Sequence, residues 1–324
     1  MQPKLLTTKK LALELNQHRL ALAIKFSAIT VVIIALYAQD LNLVFSDALR
    51  DESTFHILVI PILFAYLIFR KRKMLNASVT QIKTGTQGLH KHFSTIAGVL
   101  LSVTAVLVYW YGSYSFTPLD YHIITLPLFT TGLVLIFFNT QTLKQLIFPI
   151  AFLFFLTPPP SEILYYVGSM LANLAASASN SLANVFGIHT VLTSEYGNPL
   201  ITLTRPDQTQ MAFSVNIACS GIYSLIGFTI FAVFIAYITR GKLRNKLSML
   251  FMGVPLIIAL NIIRITIILA IGNSYGEAIA LEIFHIVGAT ALMFIGTLIL
   301  LAISEKAFKN PNHQNPAQPA AKPQ

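Results

Sequence analysis

Three residue types capable of joint chemistry occur late in the chain. Cys219 is the only cysteine among 324 residues, which excludes an intramolecular disulfide and any multi-cysteine metal site. It lies in Asn216-Ile217-Ala218-Cys219-Ser220-Gly221-Ile222, where a polar loop meets an apolar run that ends at Arg240. That junction predicts a helix start with Cys219 in its first turn. Unpaired amides and the positive end of the helix dipole would favour a thiolate there. Ser220 and Gly221 beside it are candidate supporting residues, and Gly221 would let another helix or a substrate backbone approach closely. The competing reading is that a lone cysteine is inert packing.

Arg264, in Asn261-Ile262-Ile263-Arg264, stands between Lys246 and Glu277 with no other charged residue. A guanidinium inside a membrane span is costly and points to function. Counting from Gly272, it lies about 12 Å down a helix, with Asn261 on the same face. His285 lies about 10 Å below the start of the last apolar run, near Ala278. Glu282, three residues earlier, could hold the imidazole tautomer or face the headgroups. A thiolate nucleophile, a histidine that moves its proton and an arginine that stabilises an oxyanion suit acyl transfer. The remaining histidines, such as His56, His90, His92, His122 and His189, show no metal-ligand spacing. No phosphate-cradling glycine loop is present, so neither cofactor nor metal is expected.

The elements that must position these residues belong to a membrane protein. Hydrophobic residues make up 55% and charged residues 10% of the chain, against about 25% charged in soluble domains, which rules out a conventional soluble enzyme. Eight apolar runs, at about 20–38, 54–69, 94–111, 122–138, 145–157, 217–239, 248–271 and 278–303, read as transmembrane helices. Residues 1–19 show no small-residue processing site, so the first run should stay as an anchor. The segment 163–186 is ambiguous: it carries Asn173, Asn180 and Asn184 together with small residues Gly168, Ala172, Ala176, Ser179 and Ala183. If it is interfacial or re-entrant, eighteen of the 22 Lys and Arg fall on the cytoplasmic side, as the positive-inside rule demands. The net charge of +10 then sets topology rather than nucleic-acid binding.

The expected fold is therefore an all-α polytopic membrane protein with about eight spans, one interfacial or re-entrant helix and a small extracytoplasmic β-hairpin. The hairpin comes from alternation at Leu200–Thr204 and Met211–Val215, with turn residues at Tyr196-Gly197-Asn198-Pro199 and Arg205-Pro206-Asp207. The expected organisation is a cytoplasmic N-terminus (1–19), a five-span bundle (20–157), a catalytic region (158–304) and a Pro-rich disordered cytoplasmic tail (305–324). Both termini would be cytoplasmic and the site extracytoplasmic, in the cell membrane.

The Ala218-Cys219-Ser220-Gly221-Ile222, Asn261-Ile262-Ile263-Arg264 and His285 segments, in that order on three successive spans, resemble the exosortase/archaeosortase family of membrane cysteine transpeptidases. The resemblance covers roughly Pro158 to Ser304; the first four spans match in hydropathy only. It implies Cys219 as nucleophile, Arg264 as the oxyanion or orienting group and His285 as acid/base. It further implies exported protein substrates with a C-terminal motif, one transmembrane helix and a basic tail. These would be cleaved through a thioacyl intermediate and transferred to a membrane or cell-surface acceptor, among membrane lipids and without nucleic acid. The small-residue face of 163–186 is the expected groove for the substrate helix. The alternative is a polytopic transporter with an Arg264, Asn261 and His285 substrate site in the membrane.

Overall fold

The computed structural model describes residues 3–50, 52–80, 88–239, 242–286, 294–299 and 302. They form two compact units, residues 1–160 and 161–324. The chain is mainly helical. Five of the described helices are long and apolar enough to cross a membrane; the count is six if Thr140–Leu156 and Ser161–Val185 together make one broken span. Eight were expected. Ile222–Ile238 is apolar but shorter than those five, and the expected last span, 278–303, lies largely outside the described residues, as does the tail.

The first unit contains α1 (Pro3–Arg50), a 3-10 segment (Glu52–Val59), α2 (Ile60–Thr80), α3 (Gly88–Gly112), α4 (Pro118–Phe137) and α5 (Thr140–Phe152). Helices α1 and α4 run antiparallel, and three polar ties hold one register between them. The Lys25 ammonium donates to the Phe137 carbonyl at the C-terminal end of α4 (2.9 Å). Tyr37 and Thr125 share a hydroxyl bond (2.9 Å), and Asp40 meets His122 at 2.7 Å. A lysine inside an apolar run is tolerated here because it meets a carbonyl that the helix leaves unbonded. From Lys25 to Asp40 the helix climbs about 22 Å, so the outer ties sit at opposite ends of the bundle. Helix α3 crosses α4 closely at Gly98 and Gly132; a Cβ on Gly132 would lie 2.3 Å from the Ser102 hydroxyl. Small residues permit that approach, as is usual between helices in lipid. Pro158, Pro159 and Pro160 end the unit, since successive prolines cannot continue a helix.

The second unit opens with α6 (Ser161–Val185) and an antiparallel meander of β1 (Thr190–Glu195), β2 (Asn198–Thr204) and β3 (Gln210–Ser214), in the order β1-β2-β3. The expected hairpin is β2–β3, with Leu200 opposite Ser214 and Thr204 opposite Gln210. Strand β1 is additional. Only Thr190 of its residues is buried, so it leaves no alternation to read, whereas β2 buries every second residue. Its turn needs Tyr196 and Gly197 both at positive φ, 49° and 81°, as in a two-residue hairpin connection. Asn184 ties α6 to β1, its amide donating to the Thr190 carbonyl at 3.0 Å. A 3-10 turn (Ile217–Cys219), α7 (Ile222–Ile238), α8 (Leu243–Tyr275) and α9 (Glu277–Ile286) follow, and residues 294–299 are helical as well. Arg205, in the β2–β3 loop, donates to the Asn273 carbonyl near the end of α8 (3.4 Å).

The small-residue face of α6 is occupied by the protein itself, which corrects the expected substrate groove. Ala172, Ala176, Ser179 and Ala183 are essentially inaccessible, and the three alanines pack in one core with Ile201, Leu203, Ile265 and Leu269. The Ser179 hydroxyl donates to the Ile262 carbonyl of α8 (3.1 Å). Such spacing serves close packing of α6 on α8 and the sheet. An apolar opening of about 330 Å³ lies elsewhere, against Leu182, Phe186, Ile188, Ile263, Ile267 and Ala270. Ala176→Leu should therefore overpack the core and cost about 1–3 kcal/mol, read as a lower unfolding midpoint in detergent. Leu174→Ala, half exposed on the same helix, should stay within about 0.5 kcal/mol of wild type.

Candidate functional site

Cys219 lies on a short irregular turn fastened by side-chain hydrogen bonds on both sides of it. The Asn216 side chain accepts from the Cys219 amide (3.1 Å) and starts the 3-10 turn. The Ser220 hydroxyl donates to the Ile217 carbonyl (2.7 Å) and accepts from the Ile222 amide (3.2 Å), joining the turn to the first residue of α7. Gly221 adopts φ 88°, a left-handed conformation that breaks the helix before it reaches the cysteine. Cys219 therefore precedes α7 and is not in its first turn, contrary to the sequence expectation. Gly221 does serve close approach as expected: a Cβ there would stand 2.9 Å from the Asn261 side-chain carbon. On the other flank a Cβ on Gly168 would meet Ile217 at 2.6 Å, so α6 also abuts the turn.

Helix α8 supplies the floor. Asn261, 1% exposed, donates its side-chain amide to the Cys219 carbonyl (3.1 Å). Arg264, one helical turn on and 5% exposed, is close enough to act on the thiol electrostatically. Burial pushes the Cys219 thiol up from its ordinary value; the Arg264 charge and the Asn216 backbone pull it back only in part. The lowered pKa expected from a helix N-terminus is thus reversed, because the sulfur is half-buried beside the core and lies outside the helix whose dipole was invoked. Desolvation of a charged form outweighs one nearby cation here.

Helices α8 and α9 are joined at Gly276. Arg264 lies eleven residues before Tyr275 and His285 eight residues after Glu277, a difference in depth of roughly one helical turn. His285 is on α9, but its side chain lies outside the described residues, so the site is described from Cys219, Asn261 and Arg264. Glu282 is exposed. Ser220 and Gly221, expected as supporting residues, shape the turn. Sequence reasoning missed Asn216, although an Asn three residues before Cys219 has the spacing of a helix cap. It also missed the contact of Gly168 with the turn, which depends on two segments meeting in space. No group of three or more His, Cys, Asp or Glu able to hold a metal occurs among the described residues.

Two outcomes follow. Maleimide labelling of Cys219 should show a midpoint above that of a free thiol, near pH 8.5, and Arg264→Gln should move it higher still, since the opposing cation is lost. Gly221→Ala should cost about 1–3 kcal/mol through its positive φ, and more from the contact with Asn261, read by thermal unfolding.

A family model described as transmembrane exosortase matches residues 48–302. No curated protein and no solved structure matches. The matched range covers well over half of the chain and includes the Cys219 turn, the Asn261 and Arg264 helix and His285, and with its apolar helices this protein is an integral membrane member of the transmembrane exosortase family.

Proposed function

We propose that this protein is a membrane cysteine protease and transpeptidase that cleaves C-terminal sorting signals of exported proteins through a thioacyl intermediate. The observation that carries the reading is the fixed backbone of the single cysteine: the side chains of Asn216 and Asn261 hold the Cys219 amide and carbonyl, and Ser220 and Gly221 shape the turn around it, beside the buried Arg264. Such preorganisation is what a nucleophile needs and what inert packing does not.

Because burial raises the thiol, the resting sulfur keeps its proton at neutral pH. A base must therefore remove it as the sulfur attacks, and His285 takes that role. Cys219 Sγ adds to the scissile carbonyl, Arg264 stabilises the oxyanion, and the protonated imidazole gives its proton to the leaving amine. A thioester on Cys219 remains. Water or an acceptor amine attacks it, returns the thiol and releases the acyl group. The substrates are exported proteins that carry a short motif, one transmembrane helix and a basic tail. On the eight-span reading of the hydropathy, with cytoplasmic termini, the positive-inside balance favours a site on the extracytoplasmic side of the cell membrane. Asn261 acts as a positioning residue through the Cys219 carbonyl, and Glu282 faces outward.

The test is processing of such an exported protein co-expressed with the enzyme. Cys219→Ala should abolish cleavage. His285→Ala should slow it by about 10²–10⁴-fold without changing the amount of folded protein. Hydroxylamine should release a substrate fragment from Cys219 in the wild type. Full cleavage by Cys219→Ala would overturn the proposal.

A further inference from the structure

The first unit holds a second reactive arrangement, independent of Cys219. His122 of α4 makes a 2.7 Å bond through Nδ1 to Asp40 Oδ1 of α1, and its Nε2 lies 3.0 Å from the Ser113 hydroxyl. A carboxylate can only accept, so Nδ1 donates to Asp40, and in the neutral imidazole Nε2 is then the acceptor facing Ser113. The second carboxylate oxygen accepts from the Tyr109 hydroxyl (2.8 Å), and the Tyr109 ring stacks on the imidazole at 3.8 Å and 14°. Asp40 and His122 are buried, whereas Ser113 is exposed just past the end of α3. The Ser113 hydroxyl also has the Tyr109 carbonyl as an acceptor at 3.2 Å, so its one proton is shared between that carbonyl and His122 Nε2. A structural clamp between α1 and α4 requires only the buried pair; here the relay continues outward to a hydroxyl in the open.

The surroundings set the depth. Trp110, Tyr111, Tyr114, Phe116 and Tyr121 are all exposed at this end of the bundle, and aromatic side chains of this kind gather at the membrane interface. Ser113 thereby stands at the boundary between headgroups and acyl chains, where glycerolipid ester carbonyls lie.

We propose that Ser113, His122 and Asp40 form a serine esterase site acting on acyl esters at the membrane interface. Ser113 Oγ attacks the ester carbonyl as its proton passes to His122 Nε2, and Asp40 stabilises the imidazolium. The C–O bond to the alcohol breaks, and the alcohol leaves with the proton from His122. Water, deprotonated by the same nitrogen, then hydrolyses the acyl-serine and restores the hydroxyl.

The experiment uses the full chain carrying Cys219→Ala, in phospholipid vesicles, with a fluorophosphonate probe and a short-chain p-nitrophenyl ester. The expected result is one phosphonylated peptide containing Ser113, absent from Ser113→Ala, and labelling slowed about a hundredfold in His122→Gln, with ester hydrolysis falling in parallel. Ser113 is exposed, so Ser113→Ala should keep the unfolding midpoint and separates loss of the nucleophile from loss of the fold even if His122→Gln destabilises. Absence of label on Ser113 in the folded Cys219→Ala protein, or equal labelling in folded His122→Gln, overturns the proposal.

Discussion

A backbone that leaves the helix near lipid must find partners for its amides and carbonyls within the protein. The turn that carries Cys219 meets that demand with side chains: Asn216 for the Cys219 amide, Ser220 for the Ile217 carbonyl, and Asn261 for the Cys219 carbonyl. The Asn261 bond is the one that reaches another helix. It couples the position of the sulfur to α8 and so to Arg264 one turn away. Gly221 is its geometric counterpart, since any Cβ at that position would occupy the space the Asn261 side chain needs.

The same demand explains why α6 and the sheet are built as they are. The alanines and Ser179 of α6 let it lie against α8 without large side chains between them, and Gly168 lets it touch the turn. The sheet then covers the other side of that core with Ile201, Leu203 and Met211. The turn is thus seated between α6 and α8, which already touch one another, and its backbone is tied to the helix that carries Arg264.

In the first unit the organising feature is register. Lys25 with Phe137, Tyr37 with Thr125 and Asp40 with His122 space three polar ties along one antiparallel pair. Each tie pairs polar groups that hydrocarbon would penalise, and a slip of either helix by one residue would break all three at once. Apolar packing in lipid gives little such discrimination between neighbouring registers.

Much of this was legible in the residues. Hydropathy marked the chain as a membrane protein, charge singled out Arg264, which the fold buries, and the small residues of α6 announced a tight helix contact, because each of these signals is local and strong. Period-two alternation disclosed β2 and β3 but not β1, whose outward side chains have nothing to alternate against. The position of Cys219 before α7, its raised thiol and the chain from Asp40 through His122 to Ser113 were decided by tertiary structure alone. They depend on a left-handed glycine, on desolvation beside a core built from residues remote in the chain, and on residues up to 82 positions apart brought together by helix register. Composition and periodicity report which side chains must leave water; they carry no record of which of those side chains will meet.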